Sequence, residues 1–282
     1  MVIDFHTHIY PEDEAREAIA AVKRNFGIIA PETGTLAGLL ASMKKAGINN
    51  SVLLPVARLP EEVRPKNKWV KSIAREGIVP FGAIHPLQKD LEEELDILLE
   101  DGICGVKIVP SLEKIYPDDD RCDLLYESLI EREMIIVFHA GAEPVERGEI
   151  FGTPERFSSM TESYPELKVV LTHLGGFRMW DDVLRYLIPH GDCVCFDCAY
   201  VWGYLTKDRI AELIRSIGVD HVLFGTDYPW ATPARDIELV KGLDLLEDDI
   251  TKILHSNGEM LLSRAKVALQ PGAMTKNEAR YD

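Results

Sequence analysis

The sequence contains no run of about 18 consecutive apolar residues, the length that a membrane-spanning helix needs. Its first residues, Met-Val-Ile-Asp-Phe-His, include neither a basic segment nor a cleavage site, so no secretory signal is expected. Cysteine is scarce, with five residues, an odd number, of which Cys193, Cys195 and Cys198 crowd one apolar run. We therefore expect reduced thiols in a cytoplasmic protein rather than a disulfide framework.

Positive charge is also in short supply. The chain has 31 Lys and Arg against 47 Asp and Glu, which gives a net charge of −16. Proteins that bind nucleic acids or anionic membranes need basic surface to neutralise phosphates. We therefore expect neither a nucleic-acid partner nor a membrane partner for this chain.

The sequence does contain a repeated pattern of apolar runs followed by amphipathic stretches. After the first run the spacing is about 25 to 35 residues, the length of a βα unit, and near-continuous apolar runs are typical of parallel strands buried on both faces. The eight runs are Val2–Ile9, Ser51–Val56, Val79–Pro86, Gly105–Pro110, Met134–Gly141, Val169–Gly176, Cys193–Tyr200 and His221–Pro229.

Eight alternating units predict an α/β fold, a closed (β/α)8 TIM barrel, and 282 residues suit one such domain. An open doubly wound sheet is the alternative, but it usually carries a glycine-rich phosphate turn after its first strand. Here the first run ends in His-Thr-His instead.

Apolar positions at helical spacing predict helices over Asp90–Glu100, Asp123–Arg132 and Lys207–Ile217. The stretch from Tyr10 to Asn50 is longer than one helix and predicts an insertion or a pair of helices over the barrel mouth. We expect one barrel domain over residues 1–265 and a polar C-terminal tail over residues 266–282.

Five of the eight histidines lie late in a predicted strand or just past it, and Asp227 ends the eighth strand. Chemistry in such barrels sits at the carboxyl ends of the strands. These histidines are His6 and His8 in the first run, His85 in the third, His139 in the fifth and His173 in the sixth.

His6 and His8 are separated by one residue, so both imidazoles face the same side of a strand. Strands one and eight are neighbours in a closed barrel, so Asp227 can reach the same point, and strand five brings His139 from across the barrel. Imidazoles with a carboxylate match the ligand set of a catalytic divalent metal site such as Zn²⁺. Asp197, late in the seventh run, is a further candidate to face the pocket.

Four motifs resemble the amidohydrolase superfamily, and more narrowly the branch that contains aminocarboxymuconate-semialdehyde decarboxylase and related hydrolases. The motifs are Asp4-Phe-His-Thr-His8, Phe138-His139-Ala-Gly141, Leu171-Thr-His173-Leu-Gly-Gly176 and Phe224-Gly-Thr-Asp227-Tyr-Pro229. The resemblance extends from residue 2 to about residue 262 and is specific for the superfamily rather than for a substrate.

The resemblance implies that His6, His8, His139 and Asp227 bind one divalent metal ion. Zinc is the first candidate, and Mn, Fe and Co are the alternatives. It also implies that His173 acts as general base or orients a metal-activated water, with Asp227 as a second proton acceptor. Because members of this branch often form dimers, the resemblance also implies a homodimer.

Lys107, in the fourth run, has three open interpretations. In the first, its amine is carboxylated and bridges two metals, as in binuclear members of the superfamily. In the second, its ammonium binds a substrate carboxylate. In the third, it is simply paired with another group inside the barrel. Arg178 is a candidate to bind a carboxylate through two hydrogen bonds, and the alternative is a surface arginine. His85 is a candidate to contact the substrate, and the alternative is an ordinary loop histidine.

The ligand set serves two reactions equally well. The first prediction is a metal-dependent hydrolase in which activated water attacks a small carbonyl or carboxylate substrate. The alternative is a nonoxidative decarboxylase of the aminocarboxymuconate-semialdehyde decarboxylase type. A catalytically inactive metal-binding protein is a third reading, against which the retained pair of His173 and Asp227 argues.

Overall fold

The computed structural model describes residues 1–145, 148–188 and 191–265, so the predicted tail, residues 266–282, lies outside the described residues. The strands are β1 Ile3–Thr7, β2 Asn50–Leu53, β3 Ile78–Pro80, β4 Gly82–Ala83, β5 Gly105–Ile108, β6 Ile135–Phe138, β7 Lys168–Leu171, β8 Val194–Asp197 and β9 Val222–Leu223. The α-helices are α1 Ala15–Phe26, α2 Leu36–Ala46, α3 Pro60–Ile73, α4 Leu91–Glu100, α5 Pro110–Glu113, α6 Asp123–Glu131, α7 Pro154–Ser163, α8 Trp180–Tyr186, α9 Lys207–Ile217, α10 Pro233–Lys241, α11 Glu247–Thr251 and α12 Asn257–Arg264.

All strand pairs are parallel, in the orders β1-β2-β3 and β4 through β9. The ring closes between its last and first strands, where Phe5 N donates to Phe224 O at 2.8 Å and His8 N donates to Tyr228 O at 2.7 Å. The predicted (β/α)8 barrel is confirmed.

The predicted third strand is divided into β3 and β4. β3 pairs with β2, whereas β4 pairs with β5, and Pro80 at the division has no N–H to donate. Phe81 bridges the two segments, since its N–H donates to Leu53 O at 3.0 Å. The described chain therefore has nine strand segments where the sequence predicts eight strands.

Three helices match their predicted ranges to within one residue at each end. They are α4, α6 and α9. The hydroxyl of Thr206 caps α9 by accepting from Arg209 N at 3.3 Å, and the apolar stripe of this helix is buried. One face of each helix must cover the sheet, so its apolar residues recur at helical spacing. This spacing is why the sequence predicts the positions of these helices.

The apolar core has two principal parts. The larger part packs the outer faces of the strands against the helices. The second part joins residues of six strands and α12, and it includes Phe5 of β1 together with Val137 of β6. Since β1 and β6 lie on opposite sides of the ring, these side chains meet inside the barrel, and Leu261 and Leu262 of α12 close its amino end.

The stretch between β1 and β2 forms a pair of helices, α1 and α2, as the sequence predicts. Val22 and Phe26 of α1, with Ile28 after it, line the cavity at the carboxyl ends of the strands. The insertion therefore covers the barrel mouth.

All five cysteines carry free thiols. Burial raises the pKa of Cys195 and of Cys198 to about 12, so both remain protonated at neutral pH. Within the described part of the chain, no helix combines the length and apolarity that crossing a bilayer requires.

Candidate functional site

Six of the predicted site residues meet at the carboxyl end of the barrel: His6, His8, Lys107, His139, His173 and Asp227. His6 lies in β1, and His8 lies one residue past it. The pairing of β1 with β2 shifts between Asp4 and Thr7, and such a bulge re-aims the end of a strand. His139 directly follows β6, His173 follows β7 by two residues, and both line the same cavity as Asp227.

The ring nitrogens of His6 and His8 and the Asp227 carboxylate stand at the separations that ligands of one metal ion adopt. His6 Nε2 and His8 Nε2 are 3.1 Å apart, and each is 3.4 Å from Asp227 Oδ1. Two ligand atoms each about 2.0–2.2 Å from one ion lie roughly 3 Å or more apart, so these three spacings fit a shared cation. His139 lies beside this group, with its Nδ1 3.1 Å from His173 Nε2.

His173 lies close to two of these ligands. Donor atoms of His6, His173 and Asp227 all lie within 4.8 Å of one another, and His139 is not part of that set. Across residues 1–145, 148–188 and 191–265, no cysteine belongs to such a group. The cysteine-rich run around β8 is therefore not a second cluster of this kind.

Hydrogen bonds on the far side of each ring fix the orientation of the β1 histidines. His6 Nδ1 lies 2.8 Å from Asp197 Oδ2, and His8 Nδ1 lies 2.7 Å from Leu54 O. A carbonyl oxygen and a carboxylate only accept, so Nδ1 donates in both rings and Nε2 keeps its lone pair. Both lone pairs belong to the nitrogens that approach Asp227.

The other two histidines are held in the same manner. His173 Nδ1 donates to Ala199 O at 2.9 Å, and His139 Nε2 donates to Ala142 O at 3.3 Å. The lone pairs therefore lie on His173 Nε2 and His139 Nδ1, the two atoms that face each other. Supports of this type set the tautomer of metal-binding histidines.

Burial keeps these imidazoles neutral. It lowers the pKa of His6, His8 and His173 well below the ordinary value, and neighbouring cationic groups lower it further. The pKa of His139 is lowered as well, mainly by burial. Neutral imidazole is the form that binds a metal ion.

A close approach of two loops brings His139 and His173 together. Gly141 has a φ of 93°, and a Cβ at this position would lie 2.1 Å from Phe177 N. Only glycine permits both the left-handed backbone and this contact. The loops after β6 and β7 therefore lie against each other with their histidines adjacent.

Several site residues have strained backbones, among them two that are predicted to take part in catalysis. Asp227 has a φ of 65° and His173 a φ of 59°, both in the left-handed region that residues other than glycine rarely occupy. Burial also raises the pKa of Asp227 to about 8. Such features persist only where the surroundings enforce them, and they cluster at functional sites.

Lys107 of β5 lies at the same end of the barrel. Its side chain is buried, with 1% of the residue exposed, and Nζ has no hydrogen-bond partner among the described residues. Burial lowers its pKa to about 8. A buried ammonium without a partner is costly, which marks this atom as one that a bound anion would satisfy.

These groups surround a cavity of about 190 Å³. Its polar wall consists of the four histidines, Lys107, Asp227 and Glu143. Aromatic hydroxyls come from Tyr10 and Tyr200, and the remaining wall is apolar. The apolar lining residues are Val22, Phe26, Ile28, Val56, Val109, Leu112, Pro144, Phe177 and Trp230.

Two predicted substrate contacts are not part of this lining. Arg178 is exposed, and its guanidinium carbon lies 5.7 Å from the ring centre of Phe177 and 5.5 Å from that of Tyr204. His85 Nδ1 accepts from Leu87 N at 3.1 Å, so this histidine is engaged within its own loop. The cavity contains neither side chain.

Sequence reasoning missed several residues of the site. Glu143 lies 3.7 Å from His139 Nε2 and receives a hydrogen bond from Ser111 Oγ, but no motif singled it out. Asp197, which the sequence analysis named as a candidate to face the pocket, does not line the cavity, and its carboxylate instead accepts a hydrogen bond from His6 Nδ1. Asp4 was visible as the first member of the Asp-x-His-x-His pattern, although its contacts depend on the loop after β9.

Residues 3–264 match the model of the family described as Amidohydrolase. No curated protein matches the chain significantly. Solved structures share the fold. An uncharacterised TIM-barrel protein from Bordetella bronchiseptica has a TM-score of 0.76 and 22% identity, and the match covers 94% of this chain and 99% of that protein.

Two further structures are decarboxylases by name. A dihydroxybenzoic acid decarboxylase from Polaromonas sp., with bound manganese and 2-nitroresorcinol, has a TM-score of 0.69 and 16% identity over 94% of this chain and 98% of that one. A 5-carboxyvanillate decarboxylase from Sphingomonas paucimobilis has a TM-score of 0.66 and 13% identity over 95% of this chain and 99% of that one.

Proposed function

The chain belongs to the amidohydrolase family, and from this membership we propose that it is a metal-dependent decarboxylase of a small carboxylate substrate. The hydrolase that the sequence analysis predicts corresponds to the family as a whole. The decarboxylase, its alternative, is the more specific proposal for a member of this family. The observation that carries the proposal is the buried ammonium of Lys107, which lies beside the histidine cluster and has no hydrogen-bond partner among the described residues.

His6, His8, His139 and Asp227 would hold one divalent ion. The fit rests on the neutral imidazoles of His6, His8 and His139, which line one cavity, and on Asp227 Oδ1, which lies 3.4 Å from Nε2 of His6 and of His8. Zinc suits such nitrogen and oxygen donors, and so does manganese, which the Polaromonas structure contains. When bound, the ion would polarise a substrate oxygen and stabilise the negative charge that develops there.

Lys107 would bind the substrate carboxylate. The charge of the ammonium is stabilised when an anion enters, so binding offsets the cost of its burial. The apolar wall disfavours the charged carboxylate relative to neutral CO2. Breaking the bond to the carboxylate leaves an electron pair on carbon, and one proton must then reach that atom.

His173 would handle this proton. Its Nε2 carries the lone pair, since Nδ1 donates to Ala199 O. A neutral imidazole in this position can take a proton from water or substrate and return it to carbon. The same atom would accept a proton from water in hydrolysis, which is the observation that favours hydrolysis as a second candidate.

A direct screen separates the two reactions. Protein loaded with Zn²⁺ or Mn²⁺ is incubated with 2,6-dihydroxybenzoate and 5-carboxyvanillate, and separately with a panel of esters, lactones and amides. We expect CO2 release from carboxylates, and a raised KM in Lys107→Met. Sustained ester, lactone or amide cleavage without CO2 release would replace this proposal with the hydrolase.

A further inference from the structure

Asp4 of β1 is buried, with 0% of the residue exposed, and lies outside the cavity lining. Its Oδ1 accepts from His6 N at 3.2 Å and from Thr226 N at 3.0 Å. Its Oδ2 accepts from Thr226 Oγ1 at 2.6 Å. One carboxylate therefore holds the backbone of β1 and the loop after β9 together.

Thr226 extends this network past Asp227. Its Oγ1 also accepts from Tyr228 N at 3.1 Å, so the residues on both sides of Asp227 are fixed. Asp227 N donates to His6 O at 2.8 Å. The left-handed backbone of Asp227 is thus restrained from three directions.

The seam between β1 and β9 has its own backbone hydrogen bonds. Phe5 N donates to Phe224 O, and His8 N donates to Tyr228 O. The contacts of Asp4 are additional to these bonds, and they reach His6 and Thr226, the residue before Asp227. His6 Nε2 and Asp227 Oδ1 stand 3.4 Å apart. The contacts of Asp4 therefore act on the backbone directly beside the two proposed ligands.

We propose that Asp4 and Thr226 form a clamp that positions His6 and Asp227 to bind the metal ion. The Asp4–Thr226 clamp rests on the proposed metal centre, and both of its members are positioning residues because neither lines the cavity. The clamp would hold Asp227 Oδ1 beside His6 Nε2 and so fix the geometry of the metal site.

The test measures metal affinity rather than turnover. Zn²⁺ affinity is measured by competition with a chromophoric chelator in the wild type, in Thr226→Val, which keeps the shape but removes the hydroxyl, and in Asp4→Asn. We expect a loss of about 10- to 100-fold in both variants, the range for groups that support metal ligands. Thr226→Ser retains the hydroxyl and should stay close to the wild type.

A second readout reports the geometry of the site. With Co²⁺ in place of Zn²⁺, the visible absorption spectrum depends on the number and arrangement of ligands, and we expect it to change in Thr226→Val but not in Thr226→Ser. The double variant should lose little more than either single variant, because each substitution breaks the same network.

Asn257→Ala is the matched control. Asn257 is also buried, and its Nδ2 donates to Val219 O and Val222 O at 2.8 Å, beside β9 at the amino end of the barrel. This variant should lose stability but bind Zn²⁺ normally. Equal Zn²⁺ affinity in wild type, Asp4→Asn and Thr226→Val, or an equal loss in Asn257→Ala, would overturn the clamp. A wild type that binds no divalent ion would instead refute the proposed metal centre.

Discussion

At the carboxyl end of the strands the barrel interior holds histidines, Lys107 and Asp227, whereas at the amino end it holds apolar side chains such as Phe5 and Val137 under α12. The carboxyl end contains buried titratable groups, a lysine whose Nζ has no hydrogen-bond partner among the described residues, and several left-handed backbones, among them those of His173 and Asp227. The amino end is closely packed and closed by Leu261 and Leu262. The amino end thus stabilises the fold, whereas the carboxyl end lowers the stability because it buries the titratable groups of the site.

Two histidines at opposite ends allow the strongest test of this contrast. His139→Ala should abolish both metal binding and turnover, because it removes a proposed ligand. His221→Ala, directly before β9, should leave both intact, because His221 lies at the amino end of the barrel, where its Nδ1 donates to Val194 O at 2.9 Å. Its loss should lower the free energy of unfolding by about 1 kcal/mol.

Chelator competition and urea unfolding of both variants provide the measurements. The contrast would break if His139→Ala kept full metal affinity, or if His221→Ala lost it.

The second test separates metal binding from proton transfer within the carboxyl end. His173→Asn removes the imidazole but suits the left-handed backbone, which asparagine tolerates. We expect turnover to fall by about 100- to 10,000-fold, the contribution of a general acid or base, with one metal ion per chain retained. Metal analysis of the purified variant decides between the roles, and loss of the ion would make His173 a ligand.

The barrel and its rim of histidines were predictable because they depend on local patterns. Buried parallel strands leave apolar runs, and amphipathic helices such as α9 leave a helical period. The common orientation of His6 and His8 was predictable because alternate residues of a strand face the same side. Asp227 required only the additional rule that the first and last strands of a barrel are neighbours.

Residues that act through tertiary contacts were not predictable in this way. Glu143 belongs to the cavity because Gly141 lets its loop approach Phe177, and Asp197 supports His6 from seven strands away along the chain. Arg178 follows a glycine pair at a strand end, which made it a candidate. Arg178 has a left-handed backbone, and its side chain lies over the ring of Phe177, outside the cavity.

The third test addresses the amino end. Leu262 is fully buried in the apolar cluster inside the barrel. Leu262→Ala should lower the free energy of unfolding by about 2–5 kcal/mol, from lost burial and a residual cavity. Zn²⁺ affinity of the folded protein should not change. A parallel loss of affinity would show that packing at the amino end also sets the metal site.

The last test concerns Lys107, where the carboxyl end should cost stability. Burial lowers its pKa from 10.5 to about 8, so below pH 8 the folded protein keeps a buried charge that the unfolded chain carries in water. The shift corresponds to about 3 kcal/mol. Between pH 8 and 10.5 the unfolded chain binds more protons than the folded protein, so stability rises with pH and the penalty disappears.

Lys107→Met should therefore stabilise the metal-free protein by up to about 3 kcal/mol at pH 7, and by much less as the pH approaches 10.5. Urea unfolding at both pH values measures the difference, with the exposed Lys68→Met as a control that should change stability by less than about 0.5 kcal/mol. Destabilisation by Lys107→Met at pH 7 would mean that the ammonium is compensated inside the folded protein, and the argument that it awaits a substrate anion would lose its basis.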